Sequence, residues 1–263
     1  MSRTQGKALR MWALDAPQQK LDAGLLVLWG QGEVTVPFPV YVIEHPRGLV
    51  LFDTGIVPEA LDDPHAVYGD LAHGFVTVGA PELRVDRQLE SLGFSTSDVT
   101  HVILSHAHWD HSGGISLFPD ATFYVGEGEL PFGFWPTPGS RLAFRTQDLD
   151  FLRSFKVVEL PQRDLDLFGD GSLVILFTPG HTPGELSLIV RLENHEFLLA
   201  GDVVHLKAGL ENEFAMPMDW NAEESVRSIR RLNQISAATG AEIWVPHDEG
   251  DWAKYKHAPH YYD

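Results

Sequence analysis

The chain has 263 residues, a length that suits one large α/β domain or two small ones. A hydrophobic content of 44% against 21% charged residues supplies a packed core and argues against disorder. The formal charge of -18 repels nucleic-acid phosphates and anionic membranes, and the absence of cysteine excludes disulfides, iron–sulfur clusters, thiol catalysis and cysteine zinc sites.

Residues 1–14 hold no apolar stretch of the length a signal peptide needs, and no run approaches a transmembrane span. The default expectation is a soluble cytoplasmic protein. Residues 34–43 read as β structure, with Pro37 and Pro39 suggesting an edge. A turn at His45-Pro46-Arg47-Gly48 leads to a strand over 49–52, which Asp53-Thr54-Gly55 ends abruptly. Residues 56–80 lack periodicity and read as a long loop. An amphipathic helix is predicted over 81–92, stopped by Gly93. Short apolar strands follow at 99–104 and 121–125. Residues 127–150 gather Phe132, Phe134, Trp135 and three prolines without helical or strand order; such aromatic loops are more often functional than decorative. Strands are predicted at 156–160, 173–177, 186–192 and 196–199, a helix over 222–239 ending at Gly240, and a last strand at 242–245. No repeat or linker-like composition break appears. One domain over residues 1–263 is expected, with two mixed sheets face to face and helices outside.

Thirteen histidines invite a search for metal ligands. Four candidates fall in one run, His106-Ala107-His108-Trp109-Asp110-His111. His181 (in Thr178-Pro179-Gly180-His181-Thr182), Asp202 (in Ala200-Gly201-Asp202) and His247 (in Val245-Pro246-His247) each come at or just after an apolar strand. Loops at strand ends are where a sheet converges side chains on one point. His106 and His108, two apart, point the same way in an extended segment. Asp110 and His111 follow where the chain turns into a helix, so they face a second ion. The spacing therefore assigns His106, His108 and His181 to one ion, Asp110, His111 and His247 to another, and Asp202 to both. Imidazole with carboxylate suits zinc first, with iron, cobalt or manganese as alternatives. A single histidine is more often a packed or surface residue; a run this dense in ligands has no packing use and is costly to bury without a metal.

The run H-x-H-x-D-H, with the later T-P-G-H-T, A-G-D and a late histidine, resembles the metallo-β-lactamase superfamily over nearly the whole chain, from Leu51-Phe52-Asp53-Thr54-Gly55 to His247. The resemblance implies an αββα sandwich, two zinc-type ions and hydrolysis. It places Asp53 behind the metal site as a support for the ligands; capping the turn before Gly55 is its other use. The length, the run Val40-Tyr41-Val42-Ile43-Glu44-His45 and the tail after Asp202 look most like the N-acyl-homoserine lactonases and 4-pyridoxolactonase. That likeness implies opening of a cyclic ester. The carbonyl would be polarised on one ion and attacked by a hydroxide shared between both, and Asp110 would take or relay the proton. Those lactonases carry a substrate-binding tyrosine three residues after the bridging aspartate. Here that position is His205, which can donate one hydrogen bond as a neutral imidazole, contact a different substrate, or merely pack.

Trp109, Phe132, Phe134, Trp135, Phe214, Met216, Met218 and Trp220 are the candidate walls of an apolar pocket for a small-molecule lactone or ester. Core packing accounts for each singly as well, and exposed aromatic loops also favour a homodimer. Competing activities on the same site are aryl-ester, phosphotriester and glutathione-thioester hydrolysis. A one-iron persulfide dioxygenase and a non-catalytic sensor are more distant alternatives; in flavodiiron proteins a glutamate stands where His108 does.

Overall fold

The computed structural model describes residues 6–69, 77–78 and 80–263. Strands β1 (Arg10–Ala13), β2 (Gln18–Asp22), β3 (Glu33–Pro37), β4 (Tyr41–His45) and β5 (Gly48–Phe52) open the chain. Helix α1 (Pro64–Tyr68), β6 (Thr77–Val78), α2 (Val85–Ser91) and β7 (Val99–Ile103) follow. The middle holds α3 (Trp109–Ser112), β8 (Thr122–Gly126), α4 (Glu129–Phe134), α5 (Thr146–Leu149), β9 (Lys156–Leu160) and β10 (Leu165–Asp166). The chain closes with β11 (Leu173–Phe177), β12 (Leu186–Arg191), β13 (Glu196–Leu199), α6 (Lys207–Asn212), α7 (Ala222–Thr239), β14 (Glu242–Trp244) and α8 (Glu249–Trp252).

Several elements differ from the sequence expectation. The β segment over 34–43 is two strands in different sheets. Pro37 ends β3, the edge strand of a small sheet ordered β3-β2-β6, and β4 joins the large sheet beside β1. The helix expected over 81–92 is a 3-10 turn (Pro81–Leu83) followed by the shorter α2. The expected loop over 56–80 contains α1, started by Asp63, whose side chain accepts from the Ala66 amide, with Pro64 in the first turn. The stretch 127–150 holds α4 and α5.

Two larger sheets face each other, ordered β1-β4-β5-β7-β8-β9 and β10-β11-β12-β13-β14. Alternation along the strands divides the apolar residues between layers. Met11, Ile43, Val50, Phe52 and Ile103 of the first sheet meet Leu173, Ile175, Leu188, Val190, Phe197 and Trp244 of the second. Their neighbours Trp12, Val42, Leu51 and Val102 point outward to pack with Val85 and Leu89 of α2. On the second sheet, Leu176, Ile189 and Leu198 pack with Ile229 and Leu232 of α7. Each of those two fully buried side chains contributes about 1.5–3 kcal/mol. Asn221 caps α7 by accepting from the amides of Glu223 and Glu224, and Gly240 ends it at φ +82°. The layering is αββα.

Strand direction fixes where the loops gather. β5, β7, β8 and β9 run parallel, so their C-terminal ends share one edge. β11 is antiparallel to β12, β12 to β13, and β13 parallel to β14, so β11, β13 and β14 also point one way.

Candidate metal centre

The parallel strand ends bring four ligand-bearing segments together. Leu104 and Ser105 carry β7 into His106, and His108 stands at the start of α3, which carries Asp110 and His111. The segment after β11 brings His181, the one after β13 brings Asp202, and the one after β14 brings His247. His106, His108, His181 and Asp202 each offer a ligand atom within 4.8 Å of the others, and so do Asp110, His111 and His247. Asp202 joins the groups. Its Oδ1 lies 3.3 Å from His111 Nε2 and 3.1 Å from His247 Nε2. Its Oδ2 lies 3.7 Å from His106 Nε2 and 3.6 Å from His181 Nε2. The Nε2 of His181 faces the Nδ1 of His108 at 3.0 Å, and Asp110 Oδ2 lies 3.4 Å from His111 Nε2.

Glycines let the backbone close around these ligands. A Cβ on Gly180, at φ +148°, would sit 2.3 Å from the Ser225 amide nitrogen, so only glycine lets the His181 loop rest on the first turn of α7. Gly201, at φ +58°, would collide with Glu185 and the Leu186 carbonyl.

The chemistry of the donors fits divalent cations. Nε2 of His106, His108 and His111 and Oδ1 of Asp202 are buried without a hydrogen bond. An orphaned buried polar atom costs about 1–3 kcal/mol, and all four belong to the clusters of converging ligand atoms, which marks a place for cations. Burial, then the neighbouring His111, push His106 well below the usual imidazole range; burial and His181 do the same for His108. Both are therefore neutral, the form that ligates. Burial opposes a charge on His111 too, but Asp202, Asp110 and Asp53 outweigh it and raise the group well above its usual value. The carboxylates thus recruit positive charge. Burial also opposes ionisation of Asp110, yet His111 and His247 hold that carboxyl down at about 2.

Behind the ligands lies a layer of supports. Asp53 does not cap the turn before Gly55: Oδ1 accepts from the Ser105 amide (2.7 Å), and Oδ2 accepts from Ser105 Oγ (2.9 Å) and His111 Nδ1 (2.8 Å). Its backbone is left-handed, φ +66°, a conformation aspartate adopts more readily than most residues. His181 Nδ1 donates to Asp219 Oδ1 (2.9 Å), and His247 Nδ1 to the Pro37 carbonyl (2.7 Å). Glu185 places Oε2 3.3 Å from His106 Nδ1 while Oε1 accepts from the Asp202 amide. Glu129 accepts from the amides of Ala107 and Gly184. Such partners fix the ring orientation and tautomer of each ligand. Sequence reasoning singled out Asp53 but missed Asp219, Glu185 and Glu129, since a lone acid carries no local signal. A weak one existed for Glu185, four residues past His181 at the start of a strand.

His205 is buried, with Nε2 3.0 Å from Asp202 Oδ2, between the rings of His181 and His247. Its Nδ1 has no partner. Four of the histidines above have Nδ1 beside a supporting oxygen; His205 lacks such a support.

Of the candidate pocket residues, Trp109, Phe134 and Trp135 line one cavity of about 670 Å³, together with Tyr68, Arg141, Phe144 and Arg145, which the sequence did not flag. The ring of Phe144 lies 4.6 Å from that of His108, so the cavity flanks the metal run. Phe132 packs one layer behind, against Phe144. Phe214 and Met216 join the apolar cluster that holds Trp109, while Met218 and Trp220 are exposed and outside the cavity lining.

Residues 39–253 match the profile of the metallo-beta-lactamase superfamily. The N-acyl homoserine lactonase AttM of Azorhizobium caulinodans is 33% identical over 247 residues, covering 87% of this chain and 88% of that protein. A solved N-acyl homoserine lactone hydrolase, with the product N-hexanoyl-L-homoserine bound at its catalytic metal centre, superposes with a TM-score of 0.85 at 23% identity, over 98% of this chain and 100% of that one. AidC, a dizinc quorum-quenching lactonase, gives a TM-score of 0.71 at 17% identity, over 98% and 97% of the two chains. The layered fold, the histidine and aspartate cluster at its strand ends and the match along most of its length agree: this chain belongs to the metallo-β-lactamase superfamily.

Proposed function

We propose that the protein is a dinuclear, zinc-dependent lactonase that opens N-acyl homoserine lactones or related cyclic esters. What carries the reading is the ligand cluster joined through both oxygens of Asp202, in a chain similar over 87% of its length to an N-acyl homoserine lactonase. His106, His108 and His181 would hold one ion, Asp110, His111 and His247 the other, and Asp202 is placed to serve both. When bound there, two such ions would supply a hydroxide nucleophile near neutral pH and a Lewis acid for the ester carbonyl. Asp53, Asp219 and the Pro37 carbonyl keep His111, His181 and His247 presenting Nε2 to the site. Asp110, ionised at neutral pH, would take the proton of the hydroxyl once it has added to the carbonyl carbon and pass it to the ring oxygen as the ester C–O bond breaks. Trp109 and Phe144 give the acyl group an apolar wall beside the reacting carbon.

The test is a substrate panel on metal-reconstituted protein: N-acyl homoserine lactones, aryl esters, a phosphotriester and a glutathione thioester. Lactones should show the highest kcat/KM, with two zinc ions per chain by elemental analysis. A higher kcat/KM for the thioester or phosphotriester, or one iron per chain with oxygen uptake, would overturn the reading.

His205 stands where the resemblance to the lactonases implies a tyrosine; its Nε2 donates to Asp202 Oδ2 at 3.0 Å, beside the reaction centre, and its Nδ1 is unpartnered. Replacing it, His205→Ala, should lower kcat/KM about ten-fold, the size of one hydrogen bond, with metal content retained. Unchanged turnover of the best lactone would dismiss that role.

A further inference from the structure

The cavity beside Trp109 carries charge opposite to the molecule as a whole. The chain has 37 acidic and 19 basic residues, yet among the described residues Arg141 and Arg145 line the cavity and no carboxylate does. The two arginines differ in what occupies them. Arg145 is tied into the wall: Nε donates to Asp148 at 2.8 Å, Nη1 donates to the Val67 carbonyl at 3.0 Å, and the guanidinium lies 5.3 Å over the ring of Tyr68. Arg141 is exposed, and its guanidinium makes no hydrogen bond or ion pair among the described residues. Half of the remaining wall is aromatic, from Tyr68, Trp109, Phe134, Trp135 and Phe144, with Thr146 and Gln147 among the rest. A substrate arm leaving the metal run past Trp109 and Phe144 therefore meets flat apolar rings and, among the described residues, one uncommitted cation.

We propose that the preferred substrate carries an anionic arm, an apolar or aromatic acyl group bearing a carboxylate, and that Arg141 is its specificity-determining contact. A guanidinium pairs with a carboxylate through two parallel N–H donors, and at this exposed position the pair contributes about as much as a surface ion pair. The proposal rests on the lactonase reading for the bond that is opened, but not for the charge of the arm.

The experiment compares N-hexanoyl homoserine lactone with its counterpart of equal chain length ending in a carboxylate, on metal-loaded wild type and Arg141→Gln. The wild type should favour the carboxylated lactone about five-fold in kcat/KM, the size of a partly exposed ion pair, and high salt should shrink the ratio. In Arg141→Gln the ratio should fall to about one, and Arg141→Lys should restore part of it. A wild-type preference for the neutral lactone, or a ratio that survives in Arg141→Gln, overturns the proposal. If neither lactone is opened, the lactonase reading fails by itself, and the arm is judged by binding. Quenching of the cavity tryptophans by 3-phenylpropanesulfonate, a poor metal ligand, is then compared with quenching by 3-phenylpropanol. Tighter binding of the sulfonate that is lost in Arg141→Gln supports the proposal, and equal affinity for both probes refutes it.

Discussion

Stripping the divalent ions should abolish hydrolysis and lower the melting temperature by about 10 °C. The second figure follows from linkage: ions at about 1,000 times their dissociation constant contribute about 4 kcal/mol, and each kcal/mol shifts a chain of this size by about 2–4 °C. The sign with pH also follows. In the ion-free protein the carboxylates raise His111, His181 and His247 above their usual values, against the opposing effect of burial. Histidines raised in the folded state stabilise it below the unfolded value of about 6.5, and that contribution is lost as pH rises through their folded values. The stripped protein therefore weakens toward alkaline pH, and the gap from the loaded form widens. Ions must displace those protons on binding, so reconstitution near neutral pH releases acid and activity falls as pH drops. Calorimetry of loaded and chelated protein, with a pH-stat during reloading, checks each part. A melting temperature indifferent to chelation, or hydrolysis that persists after it, would sink the metal-centre reading.

Asp53→Asn should weaken metal binding about 10–100-fold, the usual effect of losing a partner that orients a ligand. Asparagine keeps the shape and tolerates the left-handed backbone at φ +66°, so the turn survives. What changes is the group facing His111 Nδ1: a carboxylate that accepts is replaced by an amide that can present its donor there, or accept only by turning that donor toward Ser105. Competition against a chromophoric chelator measures the affinity of each ion. Wild-type affinity for both would remove Asp53 from the support of His111.

How much of this was readable in advance depended on density of signal. The run from His106 to His111 stood out because four ligand-type residues in six positions have no packing rationale. His181, Asp202 and His247 were legible through their places after apolar strands, which parallel pairing converts into proximity. The supporting acids Asp219, Glu185 and Glu129 were not, because what distinguishes them is burial against a partner far along the chain. Residues 34–43 hid a change of sheet, since β propensity does not say which neighbour a strand will find. The cavity was half legible. Trp109, Phe134 and Trp135 were flagged by composition, whereas Tyr68 sits on a five-residue helix whose only mark was Asp63 followed by Pro64.

The convergence of four strand-end segments has a mechanical side. His106, His108, Asp110 and His111 hang from the first large sheet, and His181, Asp202 and His247 from the second. Ions held by both sets would rivet the sheets together along one rim. For a chain without a single cysteine, they would act as covalent-like staples, closing chain loops of widely different length at one point and removing freedom from the unfolded ensemble as a cross-link does. The residues proposed to run the chemistry would thereby hold the two halves of the sandwich in register.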